Sequence, residues 1–279
     1  MLGAFARIFH VQTAAQLADA FRAHSLTQVQ LNLSTFGMPT IPTEAEASTD
    51  SLDAVGRVLT SAGLALWGIS ATFNAAHPDD ARRRAEVVRA ADFVGRLGGT
   101  GATAATLCSG SRDPDDMWGF HAETGSEAAW RDFRASLDAL LPAAERSGVV
   151  LAVEPEPANT VSDVDRARRL QRELGDEAAR VGFILDPANL ITGVDPGRHR
   201  YTLERAFEEL GPQTICVHAK DTVPWSATLR GEGVVDYGLV MRLFDGLPAR
   251  VPLIIQDAAE DELGGVIGML GDAMSRSAA

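Results

Sequence analysis

The chain has 279 residues, 46% of them hydrophobic, with a formal net charge of -13 and a pI near 4.9. That length suits one large core close to the ~250-residue size of an eight-fold α/β barrel, and the acidic balance excludes the phosphate-tracking basic surface that nucleic-acid binding needs. Only Cys108 and Cys216 are present, which excludes a disulfide framework and predicts reduced, partly buried thiols. The N-terminus lacks a basic segment ahead of a long apolar one, and no stretch reaches the ~18 apolar residues of a membrane span, so a soluble, cytoplasmic protein is expected.

Along the chain, short β-branched or apolar runs alternate with segments of period 3.6, the pattern that produces parallel strands joined by crossover helices. A strand over 4–9 leads to a helix over 13–24, a strand over 28–33 to a helix over 51–62, a strand over 65–69 to a helix over 78–97, and a strand over 102–107 to a helix over 126–147. In the second half, strands over 149–153, 181–185, 214–217 and 253–255 precede helices over 162–174, 202–210, 237–246 and 260–274. The helix starts carry Thr, Ser, Asp or Pro, residues suited to N-terminal capping. The arginines at 82–84 and 166–172 fall in helical segments rich in Glu, Asp and Ala and read as solvated helix faces.

Eight such units close naturally into a single-domain (β/α)8 TIM barrel over 1–279, whereas a doubly wound sheet is disfavoured because no Gly-x-Gly-x-x-Gly follows an early strand. The longest irregular segments, 34–50, 108–125, 187–201 and 219–236, all follow strands. In a barrel they crowd over the C-terminal rim, where such folds place their chemistry.

Four polar residues stand at or just beyond the ends of four successive strands: Glu154 after Leu-Ala-Val, Asp186 after Phe-Ile-Leu, His218 after Ile-Cys-Val and Gln256 after Leu-Ile-Ile. Each alone would serve as a turn former or helix cap. Together, on neighbouring strands, they offer oxygen and imidazole ligands to one divalent metal ion.

These segments, Val153-Glu154-Pro155, Leu185-Asp186-Pro187-Ala188-Asn189, Val217-His218-Ala219-Lys220-Asp221 and Gly231-Glu232-Gly233-Val234-Val235-Asp236, resemble the xylose-isomerase-like barrels, specifically the sugar phosphate isomerase/epimerase group that includes ketose 3-epimerases. Phe73-Asn74-Ala75-Ala76-His77-Pro78 and Asp115-Asp116-Met117-Trp118 with His121 are similar to that group's stretches as well. The resemblance implies a metal held by Glu154, Asp186 and His218, with Gln256 where the family carries a fourth ligand, Glu. It implies Mn2+ or Mg2+, with Co2+ or Zn2+ as alternatives. Proton abstraction beside a carbonyl through an enediolate follows from it, with Glu154 as base, on a ketose, inosose or oxidised sugar.

Two departures bear on that reaction. Gln256 can ligate through its amide oxygen but cannot take a proton, so looser metal binding and a missing second base are expected. Asn189 stands where ketose epimerases often carry a substrate-binding His. These features favour a one-base isomerisation or elimination over two-base epimerisation. Asp257 is the one nearby carboxylate, and it points away if the last strand runs on through it.

Asn74, His77, Trp118, His121, Asn189, Lys220 and Arg230 are the candidate substrate contacts, each with an ordinary structural role as its alternative; Glu156 and Asp221 are further polar neighbours, and Trp67 reads as core. Three functions follow: a metal-dependent sugar isomerase or epimerase, a metal-dependent lyase or deglycosylating enzyme acting on 3-keto-glycosides, and a sugar-binding subunit whose site has decayed. The superfamily's apurinic-site endonucleases need more metal ligands and a DNA-facing basic surface, which six histidines and a charge of -13 do not supply. The expected partner is a small-molecule sugar, not a nucleic acid or a membrane, and homo-oligomerisation is left open.

Overall fold

Eight short parallel strands define the architecture of the computed structural model, which describes residues 1–248 and 250–277. They are β1 (Leu2–Phe5), β2 (Gln28–Leu31), β3 (Ala65–Ser70), β4 (Ala104–Leu107), β5 (Val150–Val153), β6 (Val181–Leu185), β7 (Thr214–Ala219) and β8 (Leu253–Ile255). Each pairs with the next and β8 pairs back to β1 through Leu2↔Leu253 and Ala4↔Ile255, closing a (β/α)8 TIM barrel. Outside it run α1 (Ala14–Ala23), α2 (Thr49–Ser61), α3 (Asp80–Gly95), α4 (Glu127–Ser147), α5 (Val164–Leu174), the short α6 (Pro187–Ile191), α7 (His199–Leu210), the one-turn α8 (Trp225–Ala227), α9 (Tyr237–Asp245) and α10 (Leu263–Ser277). Among the described residues no helix is long and apolar enough to cross a membrane.

Strand alternation divides the core in two. Outward-facing residues such as Val29, Leu151, Leu185 and Val217 join the helices in one large apolar cluster. Inward-facing Trp67, Ala104, Ala152, Ile184, Cys216 and Ile254, with Phe5 packed against them, fill the barrel itself. The barrel is therefore a packed plug and not a channel, as its small cross-section requires. Both cysteines are free and buried.

The expected first strand, over 4–9, is too long. Pairing stops at Phe5, and Ala6–Ile8 turn as a 3-10 helix. The apolar run continues because Ile8 and Phe9 are buried, with the Phe9 ring 5.0 Å from Phe21 of α1, so burial there comes from a helix contact. The strand over 28–33 likewise ends early, where Asn32 caps a 3-10 turn through Ser34 N–H. β7 runs two residues further than expected because His218 and Ala219 still pair with Ile254 and Ile255. The irregular segment over 187–201 is largely helical: Asp186 caps α6 and Asp195 caps a turn that runs into α7, which starts at His199 rather than at 202.

Candidate metal centre at the barrel mouth

The site follows from the same alternation. Glu154, Asp186, His218 and Gln256 each lie two residues beyond an interior plug residue, Ala152, Ile184, Cys216 and Ile254. Side chains two apart in a strand share a face, so all four rise from the floor of the same opening. Above them is a cavity of about 500 Å³, lined from all eight strand ends.

Each ligand candidate is oriented by its local structure. Asp186 is fully buried and its Oδ1 accepts the N–H groups of Ala188 and Asn189 as the N-cap of α6, which leaves Oδ2 without a hydrogen-bond donor. His218 hydrogen-bonds through Nε2 to Oε1 of the buried Gln30, 2.9 Å away on β2. An amide oxygen can only accept, so that bond assigns the proton to Nε2 and turns the Nδ1 lone pair toward the carboxylates. Nδ1 is 3.3 Å from Glu154 Oε2 and 3.9 Å from Asp186 Oδ2. Glu154 Oε1 accepts from Asn189 Nδ2 at 2.7 Å.

Glu154, Asp186 and His218 each offer one ligand atom within 4.8 Å of the others. Asp186 Oδ2, His218 Nδ1 and Gln256 Oε1 are all buried without a hydrogen-bond partner, although Asp186 Oδ2 is offset in part by the Lys220 ammonium 3.3 Å away; an uncompensated buried acceptor costs about 1–3 kcal/mol. A cation satisfies all three, and two carboxylates with an imidazole suit a hard or borderline divalent ion. The group could therefore hold a metal ion.

Charge around the centre is mixed. Lys220 Nζ stands 3.3 Å from Asp186 Oδ2 and 3.8 Å from Asp257 Oδ2. Burial pushes Lys220 down, but the Asp186 and Glu154 carboxylates outweigh it and hold the ammonium above its ordinary range. Burial raises Glu154, but His218 and Lys220 bring it below the usual carboxylate value. Asp186 is pushed up to about 6 by burial and by Glu154, against the pull of Lys220 and His218. Burial lowers His218, yet Glu154 and Asp186 carry it above the ordinary imidazole value. Glu156, at the cavity wall, is pushed up to about 9 by burial and then by Glu154.

These directions predict a pH dependence. Without metal, Asp186 and His218 hold protons up to about pH 6 and beyond the ordinary His value, and a metal must displace them. Affinity for Mn2+ is expected to level off once both groups are deprotonated and to fall as the pH is lowered, by up to about tenfold per pH unit for each proton displaced. Calorimetry in two buffers of different ionisation enthalpy reads the released protons; an affinity unchanged down to about pH 5.5 would contradict the ligand set.

The remaining candidates divide. Trp118, Asn189 and Lys220 line the cavity with Glu154, His218 and Gln256. Asn74 and His77 do not. They are buried beside a second hollow of about 270 Å³, and their polar atoms are engaged: Asn74 with Asp113 O and the Ala76 and Ser111 N–H groups, His77 with Pro114 O and Asp79 N–H. His121 caps a 3-10 turn through Glu123 N–H, and Arg230 is exposed beside Glu232; neither lines the cavity. Asp221 gathers its own loop by accepting the N–H groups of Thr222 and Val234. Trp67 belongs to the barrel plug.

Asp257 does line the cavity, because β8 ends at Ile255 and Asp257 adopts φ 56°. Strand alternation no longer holds in that left-handed turn, which costs a non-glycine residue about 1–2 kcal/mol. Gln30 and Arg7, both at the cavity wall, were not among the candidates. The available signal for Gln30 was the alternation Gln28-Val29-Gln30-Leu31-Asn32, which sets its polar residues on one face of the strand.

The chain matches the family described as xylose isomerase-like TIM barrel over residues 30–263. Compared by sequence with curated proteins, it has no match. Among solved structures it is similar to an L-ribulose 3-epimerase, at TM-score 0.77 and 12% identity over 99% of this chain and 95% of that one. It is also similar to 3-keto-D-glucoside 4-epimerase from E. coli, at TM-score 0.70 and 14% identity over 97% and 98% of the two chains. A third, a xylose isomerase-like TIM barrel protein from Mycobacterium smegmatis in complex with magnesium, aligns at TM-score 0.67 and 17% identity over 99% and 96%. At these identities the likeness is one of fold. The family match, running from within β2 to the first residue of α10 and spanning every strand end that carries a ligand candidate, makes this chain a member of the xylose isomerase-like TIM barrel family.

Proposed function

We propose that the protein is a divalent-metal-dependent sugar isomerase or epimerase that removes a proton from a carbon beside a carbonyl. The observation that carries this reading is the convergence of Asp186 Oδ2, His218 Nδ1 and a carboxylate oxygen of Glu154 beneath one polar cavity. Glu154, Asp186 and His218 would hold the ion, Mn2+ or Mg2+, which when bound would supply Lewis-acid polarisation of the carbonyl. The chain's own residues do the rest. Glu154, held below the usual carboxylate pKa, is ionised and able to accept the proton, and Asn189 fixes its Oε1. Trp118 walls the cavity, and its loop is tied down where Asn159 Nδ2 donates to Met117 O at 2.9 Å. Lys220 is placed to donate to a sugar oxygen.

Gln256 cannot exchange a proton, and Asp257 is largely exposed and paired with Lys220. One base, Glu154, therefore serves both removal and return of the proton. The same one-base arrangement suits a lyase acting on 3-keto-glycosides, where the carbanion expels a leaving group in place of reprotonation. Metal analysis of the purified protein and a turnover screen over ketoses, inososes and 3-keto-glycosides test the proposal. Conversion of the first two classes is expected, elimination from keto-glycosides alone selects the lyase, and metal-free protein without turnover overturns both.

A further inference from the structure

Apart from the Lys220–Asp257 pair on the β7–β8 side, the cavity wall carries its charged groups on two opposite sides. Glu154 and Glu156 stand on the β5 side. Four strands away in either direction round the closed barrel, and so across the mouth, β1 ends in Phe5 of the interior plug, and two residues on comes Arg7. Arg7 is exposed, lines the cavity, and has no ion pair or hydrogen bond among the described residues. On the neighbouring strand β2, Gln30 pairs with Phe5 and lines the same cavity; its Oε1 is committed to His218, so its amide nitrogen is fixed as a donor, and that nitrogen has no protein partner among the described residues. The β1–β2 wall thus presents a guanidinium fork and an amide N–H group, both free, opposite the proposed base.

We infer that the substrate carries a carboxylate, borne at the far end of the sugar from the reacting carbon and received by Arg7 and Gln30. This rests on the isomerase or epimerase reading above and names its substrate class: acidic keto-sugars. Guanidinium recognises a carboxylate through two parallel charge-assisted hydrogen bonds. One fork with one amide matches two oxygens and falls short of the donors a phosphate dianion takes. Seating the carboxylate on β1 orients the molecule with its reacting C–H toward Glu154. Gln256 fits this scheme: with an amide where the family carries a carboxylate, the metal site has one negative charge fewer to repel an anionic substrate.

The test compares three ketoses that differ at C6, D-fructose, D-fructuronate and D-fructose 6-phosphate, by calorimetric binding to the Mn2+-supplemented protein. Fructuronate is expected to bind about tenfold or more tighter than fructose. Arg7→Gln should abolish that preference, costing fructuronate about tenfold or more beyond what it costs fructose, and keep the melting temperature, since Arg7 has no ion pair or hydrogen bond among the described residues. Equal binding of fructose and fructuronate, or a preference that survives Arg7→Gln, overturns the proposal alone. Tighter, Arg7-dependent binding of the phosphate than of the uronate overturns the choice of carboxylate. Failure of all three to bind a folded, metal-loaded protein overturns the sugar reading and this inference with it.

Discussion

Replacing Glu154 with glutamine is expected to lower turnover by about 10²- to 10⁴-fold, the range a positioned general base contributes. Gln retains the shape and can still accept from Asn189 Nδ2 through its amide oxygen, so the hydrogen bond that positions the side chain survives. With that oxygen kept on Asn189, the amide nitrogen, which does not ligate, takes the place of Oε2 beside His218, so metal binding should weaken as well and turnover is read at saturating Mn2+. What Gln loses is the capacity to take a proton, and Gln256 cannot substitute. Asp257→Asn is the control. Its carboxylate reaches the cavity only through the turn after β8 and is 64% exposed, so its removal should be mild by comparison. Wild-type turnover in Glu154→Gln on the native substrate would remove Glu154 from the mechanism. Epimerisation abolished by Asp257→Asn would establish a second base.

Asp186→Asn is expected to trade metal binding for stability. The carboxylate is fully buried next to a second one, and even two unit charges about 4 Å apart contribute about 4 kcal/mol at an effective dielectric constant near 20, so its loss should weaken Mn2+ binding by roughly 10³-fold or more. The effect on the metal-free fold has the opposite sign. Asp186 is pushed up to about 6 from the ordinary 3.8, so the folded state holds this proton more tightly than the unfolded state. Ionised Asp186 therefore destabilises the metal-free protein above about pH 6, and the penalty fades as the pH falls toward 4. Asn can keep both α6 capping bonds through its side-chain oxygen and carries no charge. Thermal melts with chelator should show a gain of several degrees near pH 8, shrinking near pH 4.5. A lower melting temperature at both pH values would show that the Lys220 ion pair outweighs burial at this site.

What could be read from residues in order was what depends on residues in order. Apolar runs and helix periods gave eight strand-and-helix units, and closure into a barrel follows from their number and spacing. The alternation that buries Ala152, Ile184, Cys216 and Ile254 in the plug also carries Glu154, Asp186, His218 and Gln256 to its upper surface, because a side chain two positions on faces the same way. Boundaries failed where burial had another source. Phe9 is apolar because α1 covers it and Ile8 because it joins the helix-side core, not because a strand continues.

Partnership across the barrel was not legible, since it depends on closure rather than on neighbours in the chain. Gln30 and His218 lie 188 positions apart, yet their bond decides which imidazole nitrogen faces the carboxylates. Asn74 and His77 look as available in the sequence as Asn189. Only the packed loops engage the first two in backbone hydrogen bonds and leave Asn189 against Glu154. Asp257 likewise enters the cavity because β8 stops at Ile255 and the backbone turns left-handed, a change that no alternation rule anticipates. Local sequence determined which face each strand residue takes; the tertiary structure decided which polar atoms remain unpaired there, because hydrogen-bond satisfaction is settled by whatever the closed barrel brings within reach.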